Sequence, residues 1–542
     1  MKRRIPIIGI LIILIGMSFT PLNQGMSIKE SYQPISTRGI LYVGGSGEGN
    51  YSTIQDAIND SVNGDTINVY SGTYSEKICI NKSINLEGEN KEKTIITKDT
   101  GHPGGKIITV TANQVNISNF TVTGNWYWNG IYLSSSNNII QNLNITYNKR
   151  GIMLSNTSHN NLISHNYLYE NGIHLEVSCN NTIEENLFEY FSGIYLHDNS
   201  NYNMVSQNTF IYKSTGVDIK RNSDYNIIID NFFTDIGLGS VMLWKNSKYN
   251  QILNNTIFKC RDGLINIQES CYNNVIGNNF SYNIIGGIIL HHSSLGCNVS
   301  YNYFYNDSVG IEASSDSVEN TIYRNVIEDI NGTGLALRST NNNSVVENIV
   351  SNCNIGMYVY NAIDNEIFRN NFINNKDEII SEYNYENIWD DGTLGNYWDD
   401  YIGSDRDGDG IGDIPRIIEN DSNNDSYPLM VPFSPNTSVR ITTPREGYIY
   451  FRNIRLRPSS LNIVFGNIKI KASTANYIND TVEMEKVEFY VDGRLRWVDK
   501  TAPYSWRWRL SSHIKHNHTI SVVVYDSSGF TAVDELQVWR FF

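Results

Sequence analysis

The chain has 542 residues, 40% hydrophobic and 18% charged, with 41 Lys+Arg against 56 Asp+Glu and a formal net charge of −15. It is long enough for more than one core, and its acidic balance argues against nucleic acid or an anionic membrane as partner. The charge is uneven: residues 437–542 carry 15 Lys/Arg against 10 Asp/Glu, which leaves the rest near −20 and marks a domain boundary.

Lys2-Arg3-Arg4 precedes an apolar run from Ile5 to Met17. That is the charged start and core length of a secretory signal, and it is short for a spanning helix. No small-x-small cleavage site follows, so residues 1–25 read as a signal peptide or an uncleaved N-terminal membrane anchor. Either places the protein in the secreted or cell-surface space, and Asn-x-Ser/Thr sequons such as Asn116, Asn144 and Asn298 suit a glycosylated exterior.

Residues 38–120 hold a cap and the first coils. Ser52 and Gln55 stand in capping-box spacing, with Ile54, Ala57 and Ile58 on one face, which predicts a short helix closing the open end. Strands are expected at 64–74 and 84–89.

From 121 to 380 the chain is a repeat. Gly-Ile-Tyr-Leu at 130–133, Gly-Ile-Met-Leu at 151–154, Gly-Ile-His-Leu at 172–175 and Gly-Val-Asp-Ile at 216–219 recur in steps of 21 to 24 residues. A second phrase, Asn-x-Ile-x-x-Asn-x-Phe, lies between them, clearest at Asn181/Asn186 and Asn203/Asn208. Such a period means a solenoid whose units bury their apolar faces by stacking. The two aliphatics of each anchor alternate with one variable residue, so the aliphatics face inward on a strand. Asn supplies turns with left-handed angles and ladders of amide hydrogen bonds. The fold class is therefore all-β: a parallel β-helix with coils about 4.8 Å apart.

Six cysteines in 542 residues form no disulfide framework. Cys260 and Cys353 lie four coils apart and cannot bond; Cys271 and Cys297, on neighbouring coils, are the candidate bridge.

Residues 381–435 form an Asp-rich closing segment. Asp405, Asp407, Asp409 and Asp413 fall at positions 1, 3, 5 and 9 of an EF-hand-like loop, with Gly410 at the turn, a spacing of hard oxygens suited to calcium. Position 12 is Arg416, where a bidentate Glu would be needed. Trp389, Tyr397 and Trp398 are expected to cap the last coil. Residues 437–542 alternate apolar and polar between turns, as at Val487-Glu-Phe-Tyr-Val-Asp-Gly and His518-Thr-Ile-Ser-Val-Val-Val-Tyr-Asp, predicting a small β-sandwich with Trp506 and Trp508 in its core.

Segment 50–88 resembles the opening of pectin-lyase-like right-handed β-helix proteins, and the Asn/Gly coils with the Trp389-to-Tyr427 closing segment resemble the NosD family. The last hundred residues, with the turn Tyr525-Asp-Ser-Ser-Gly, are similar to bacterial-type Ig-like modules.

Chemistry is expected on the outward columns of the anchors. Their variable residue runs Tyr132, Met153, His174, Tyr195, Asp218, Met242; the residue after Leu runs Ser134, Ser155, Glu176, His197, Lys220, Trp244. His174/Glu176, Tyr195/His197 and Asp218/Lys220 thus make a patch on three coils, flanked by Asp198 and Trp244. Acids, an imidazole, an ammonium and an aromatic suit a polysaccharide or surface glycan. Glu176, His197, Asp218 and Lys220 are the catalytic candidates if the protein is a polysaccharide lyase or glycoside hydrolase, with Glu176 and Asp218 at an inverting separation. His174, Tyr195, Asp198 and Trp244 are the binding candidates. The NosD resemblance implies copper delivery to a nitrous oxide reductase as the competing role. Its ligands would be His174 with His197, or His291/His292, with Met153, Met204 or Met242.

Overall fold

The computed structural model describes residues 39–98, 104–155, 158–191, 193–212, 215–384, 386–406, 410–433, 437–445, 447–459, 461–476, 484–509, 517–526 and 531–541. The signal or anchor reading of residues 1–25 lies outside them. The chain divides into two compact units, Met1–Tyr167 and Leu168–Phe542.

In the first unit the chain visits three parallel sheets in turn. One holds Ile40–Val43, Thr66–Val69, Asn85–Gly88, Asn116–Ser118, Ile139–Gln141 and Leu162–Ser164. A second carries the anchors Trp128–Leu133 and Arg150–Ser155, and a third runs from Gly72–Ser75 to Asn144–Thr146. The cap helix is Ile54–Asp60, with Ile54, Ala57 and Ile58 buried as the apolar spacing predicts. Its N-cap is Thr53 rather than Ser52: the Thr53 hydroxyl accepts from Asp56 N at 3.1 Å. Glu76 takes the place of a capping-box partner, accepting from Ile54 N and Gln55 N at 2.9 Å each.

The second unit repeats the three-sheet coil from Ile173–Glu176 to Asp377–Glu382 and then adds an antiparallel domain. Anchor aliphatics face inward throughout: Ile173, Leu175, Ile194, Leu196, Val217, Ile219, Val241 and Leu243 are all 0% exposed. Phenylalanines stack down the interior, Phe188 on Phe210 and Phe210 on Phe233 at 4.7 Å between ring centres.

The expected amide ladder forms, and asparagine also takes left-handed angles, as at Asn137, Asn180 and Asn199 (φ 59, 57 and 62). The ladder residues do not take left-handed angles; the residue before each does, as at Tyr202 (φ 58) before Asn203 and Gln207 (φ 54) before Asn208. The Asn amide instead binds the next coil. Asn203 Oδ1 accepts both Asn181 N at 2.9 Å and Asn181 Nδ2 at 3.0 Å, and the same pair of bonds recurs through Asn226, Asn250 and Asn273. Buried turn donors are thereby satisfied without water. The strain of each left-handed residue, about 1–2 kcal/mol, is offset by its own inter-coil bond, as from Tyr202 N to Asp224 O.

The closing segment ends both ladders with an aspartate. Asn396 N donates to Asp425 Oδ2 at 2.8 Å, and Trp398 Nε1 donates to the same oxygen at 2.8 Å. Asn387 Nδ2 and Trp389 Nε1 donate to Asp421 Oδ2 at 2.8 and 3.3 Å. Trp398 stacks on Phe372 at 4.6 Å, so it caps the core as expected. Replacing Asp425 by Ala strands buried donors of Asn396 and Trp398 and should cost about 2 kcal/mol. Because coils contact only neighbours, loss of amide-exchange protection should begin in strands Glu366–Phe368 and Asn371–Ile373.

All six cysteines are free, so the Cys271–Cys297 bridge is not formed. Cys297 is buried with its thiol directed at the Ser270 carbonyl, 3.6 Å away, as a small core residue.

From Thr437 the strands become mainly antiparallel. A three-stranded sheet (Thr437–Thr443, Ile468–Asn476, Ser505–Trp508) and a seven-stranded sheet enclose a core that includes Val464, Ile470, Phe489, Trp508, Val522 and Val538, with Trp506 packed against it.

Candidate functional site

The patch lies wholly in the second unit, on the sheet of anchor strands. Ile173–Glu176, Ile194–His197, Val217–Lys220 and Val241–Trp244 pair in parallel, in register, without a bulge. Glu176, His197, Lys220 and Trp244 therefore form one straight column, and His174, Tyr195, Asp218 and Met242 the other.

The second column is more tightly built than outward alternation predicts. His174 stacks on Tyr195 at 4.3 Å and 8°, and Tyr195 meets His197 edge-on at 5.8 Å. Asp218 is buried to 9%, and its Oδ2 lies 3.0 Å from both His197 Nε2 and Lys220 Nζ. Burial alone would raise this carboxyl; the bond and charge of His197, then those of Lys220, outweigh it and hold the group below the usual carboxylate range. Burial, then the Asp218 charge, raises the Tyr195 phenol.

Asp218 is thus the anionic anchor that orients an imidazole and an ammonium. His197, the register neighbour of Glu176, binds Asp218. Asp198 pairs with Arg221 at 3.3 Å on the more exposed rim. Trp244 is half-buried, with a buried indole N–H that has no acceptor among the described residues.

The column arithmetic, continued past Trp244, reaches a second cluster that the sequence reading missed. Glu312 lies 3.3 Å from Arg338, whose guanidinium sits 4.2 Å from the Tyr358 ring centre, and the Tyr358 hydroxyl donates to Glu382 at 3.4 Å. Ala336, small in a column of larger residues, is covered to 2% exposure between Glu312 and Tyr358.

The copper candidates do not converge. Tyr195 stands between His174 and His197, and His197 Nε2 is engaged by Asp218. Met153 is buried in the first unit, and Met204 lies on another sheet. His291 and His292 are 4.5 Å apart by ring centres, but Asn266 Oδ1 holds His291 Nε2 at 2.7 Å. Burial, then His292, lowers the His291 pKa. Burial pushes the thiols of Cys260, Cys297 and Cys353 up to about 12, leaving them protonated and poor soft ligands.

In the closing loop, Asp407 and Asp409 lie outside the described residues. Asp413 Oδ2 accepts from Arg406 N at 3.0 Å and Asp405 Oδ2 from Gly410 N at 2.9 Å. Among the described residues no group of three or more His, Cys, Asp or Glu is arranged to hold a metal ion.

A parallel solenoid of Asn-laddered coils followed by an Ig-like domain defines the class. Residues 27–235 and 265–403 match the family described as periplasmic copper-binding protein (NosD), and 190–327 match the right handed beta helix region. The chain belongs to the NosD family. Residues 438–522 match the bacterial Ig domain.

Among curated proteins, the probable ABC transporter binding protein NosD of Pseudomonas aeruginosa is 28% identical over 120 residues, 22% of this chain and 27% of that protein. The chain thus aligns with about a quarter of that relative's length. Similar solved structures include the A-module of mannuronan C-5 epimerase AlgE6 from Azotobacter vinelandii, with a TM-score of 0.45, 14% identity, and coverage of 54% of this chain and 92% of that one. Pectin methylesterase from carrot has a TM-score of 0.31 and 12% identity, covering 40% and 82%. The family is described as periplasmic, and among the described residues no helix is long and apolar enough to cross a membrane.

Proposed function

We propose that this is an extracytoplasmic protein that binds a polysaccharide or surface glycan along the anchor-sheet face. The observation that supports it is the in-register column Glu176, His197, Lys220, Trp244, in which carboxylate, imidazole, ammonium and indole follow at one-coil steps. A saccharide lying along the axis would meet hydrogen-bonding groups at about 4.8 Å intervals and end against an aromatic. The ion cluster at Asp218 holds two of these groups in place before any ligand arrives, which lowers the ordering cost of binding. Turnover is not part of this reading.

Glycan-array binding followed by calorimetry tests it. Trp244→Ala is expected to weaken the best glycan by about 1 kcal/mol or more, through lost ring contact. A wild-type protein that binds no glycan would overturn it.

The family description favours a second reading, copper binding. Its mark would be tight copper binding that is lost in the His174→Ala/His197→Ala double variant.

A further inference from the structure

The basic C-terminal domain contains a cleft of about 580 Å³, inside the 300–1,000 Å³ range of small-ligand sites. Thr442, Arg445, Arg455, Ser473, Asp534 and Glu535 line it, with Ile441 and Leu536 as its apolar part. Its two guanidiniums are held on one aromatic: Arg445 lies 5.7 Å and Arg455 4.7 Å from the Tyr448 ring centre. The two acids in the lining are already engaged. Asp534 Oδ2 accepts from Ile441 N at 2.6 Å, and Glu535 accepts from the Ser521 hydroxyl. Among the described residues neither Arg445 nor Arg455 forms an ion pair with a carboxylate.

From this we infer that the cleft is a second binding site, separate from the solenoid strip, and that it takes a uronic-acid-bearing oligosaccharide. Two donor-only forks pre-placed on a ring favour a carboxylate, which each can hold bidentately. The Thr442 and Ser473 hydroxyls and the remaining oxygens of Asp534 and Glu535 favour a ligand rich in hydroxyl groups. Inorganic phosphate lacks the array of hydroxyls that these acceptors would meet. A sugar acid satisfies both halves of the lining. The charge surplus of this domain, 15 Lys/Arg against 10 Asp/Glu, draws such a polyanion here and away from the acidic solenoid.

Calorimetry on the full chain with trigalacturonate decides it, with the reduced, neutral trisaccharide and inorganic phosphate as comparators. Arg455→Ala and Arg445→Ala should each weaken trigalacturonate at least about tenfold, while Arg455→Lys, which keeps the charge but not the fork, should lose less. Arg494→Ala, an exposed cation of the same domain outside the cleft lining, should leave this binding unchanged. Phosphate or the neutral sugar binding as well as trigalacturonate would overturn the inference, as would no trigalacturonate binding by the wild type. Binding lost in Trp244→Ala but kept in both Arg→Ala variants would also overturn it, assigning the ligand to the solenoid strip instead.

Discussion

Replacing Ile194 by Asp should cost about 5 kcal/mol, the sum of lost apolar burial and an unpaired carboxylate in the core. Ile194 is 0% exposed and stacked in register between Ile173 and Val217, so a charge there has no route to water and no donor to meet it. The companion variant is Tyr195→Phe. It removes one hydroxyl from a ring that keeps its place on His174, and should stay within about 1 kcal/mol. Tyr195→Asp is not a mild control, because it would set a second carboxylate beside buried Asp218. Urea unfolding followed by circular dichroism measures both; equal losses at 194 and 195 would contradict the facing of the strand.

The facing, the coil and the Ig-like tail were legible because each rests on a period that repeats many times. Gly-Ile-x-Leu and its variants fix inward and outward residues through strand alternation alone, and their repetition leaves no other register. What the period does not carry is how outward side chains meet. Asp218 was expected in solvent, yet its neighbours on the adjacent coil and two residues along the strand close over it. Alternation assigns a face, whereas burial depends on the size and charge of the column neighbours, as Ala336 between Glu312 and Tyr358 also shows.

The amide ladder and the left-handed asparagines were both legible in the sequence; which asparagine does which was not. Asn takes many of the left-handed positions, as at Asn137, Asn142 and Asn199, but the ladder asparagines themselves bridge coils with their amides, and the strained position before them is also filled by Tyr, Gln, Glu or Arg. The terminating aspartates, Asp421 and Asp425, lie 34 and 29 residues beyond their ladder partners. No local spacing predicts such a contact. The N-cap shifted by one residue for a similar reason, since Glu76, in the bend after strand Gly72–Ser75, takes the helix donors.

Asp307→Asn is expected to stabilise the protein at pH 8 and to do little at pH 4. Asp307 occupies a ladder position: its Oδ1 accepts Asn283 N at 2.7 Å and Asn283 Nδ2 at 3.0 Å. Its Oδ2 is buried with no partner among the described residues, where Asn283, one coil earlier, directs an Nδ2 donor to the Ile257 carbonyl. A carboxylate there points its charge where the ladder needs a donor, and burial pushes its pKa up to about 7. A carboxyl raised on folding contributes its stability in the protonated state, present below the unfolded value near 4 and lost as pH climbs through 7. The full swing is roughly 4 kcal/mol at about 1.4 kcal/mol per pKa unit. Asparagine supplies the donor at every pH, so the difference in melting temperature between variant and wild type should be near zero at pH 4, open between pH 5 and 7, and level off by pH 8. A constant difference across that range would show that Asp307 is already ionised, with its second oxygen satisfied, in the folded protein.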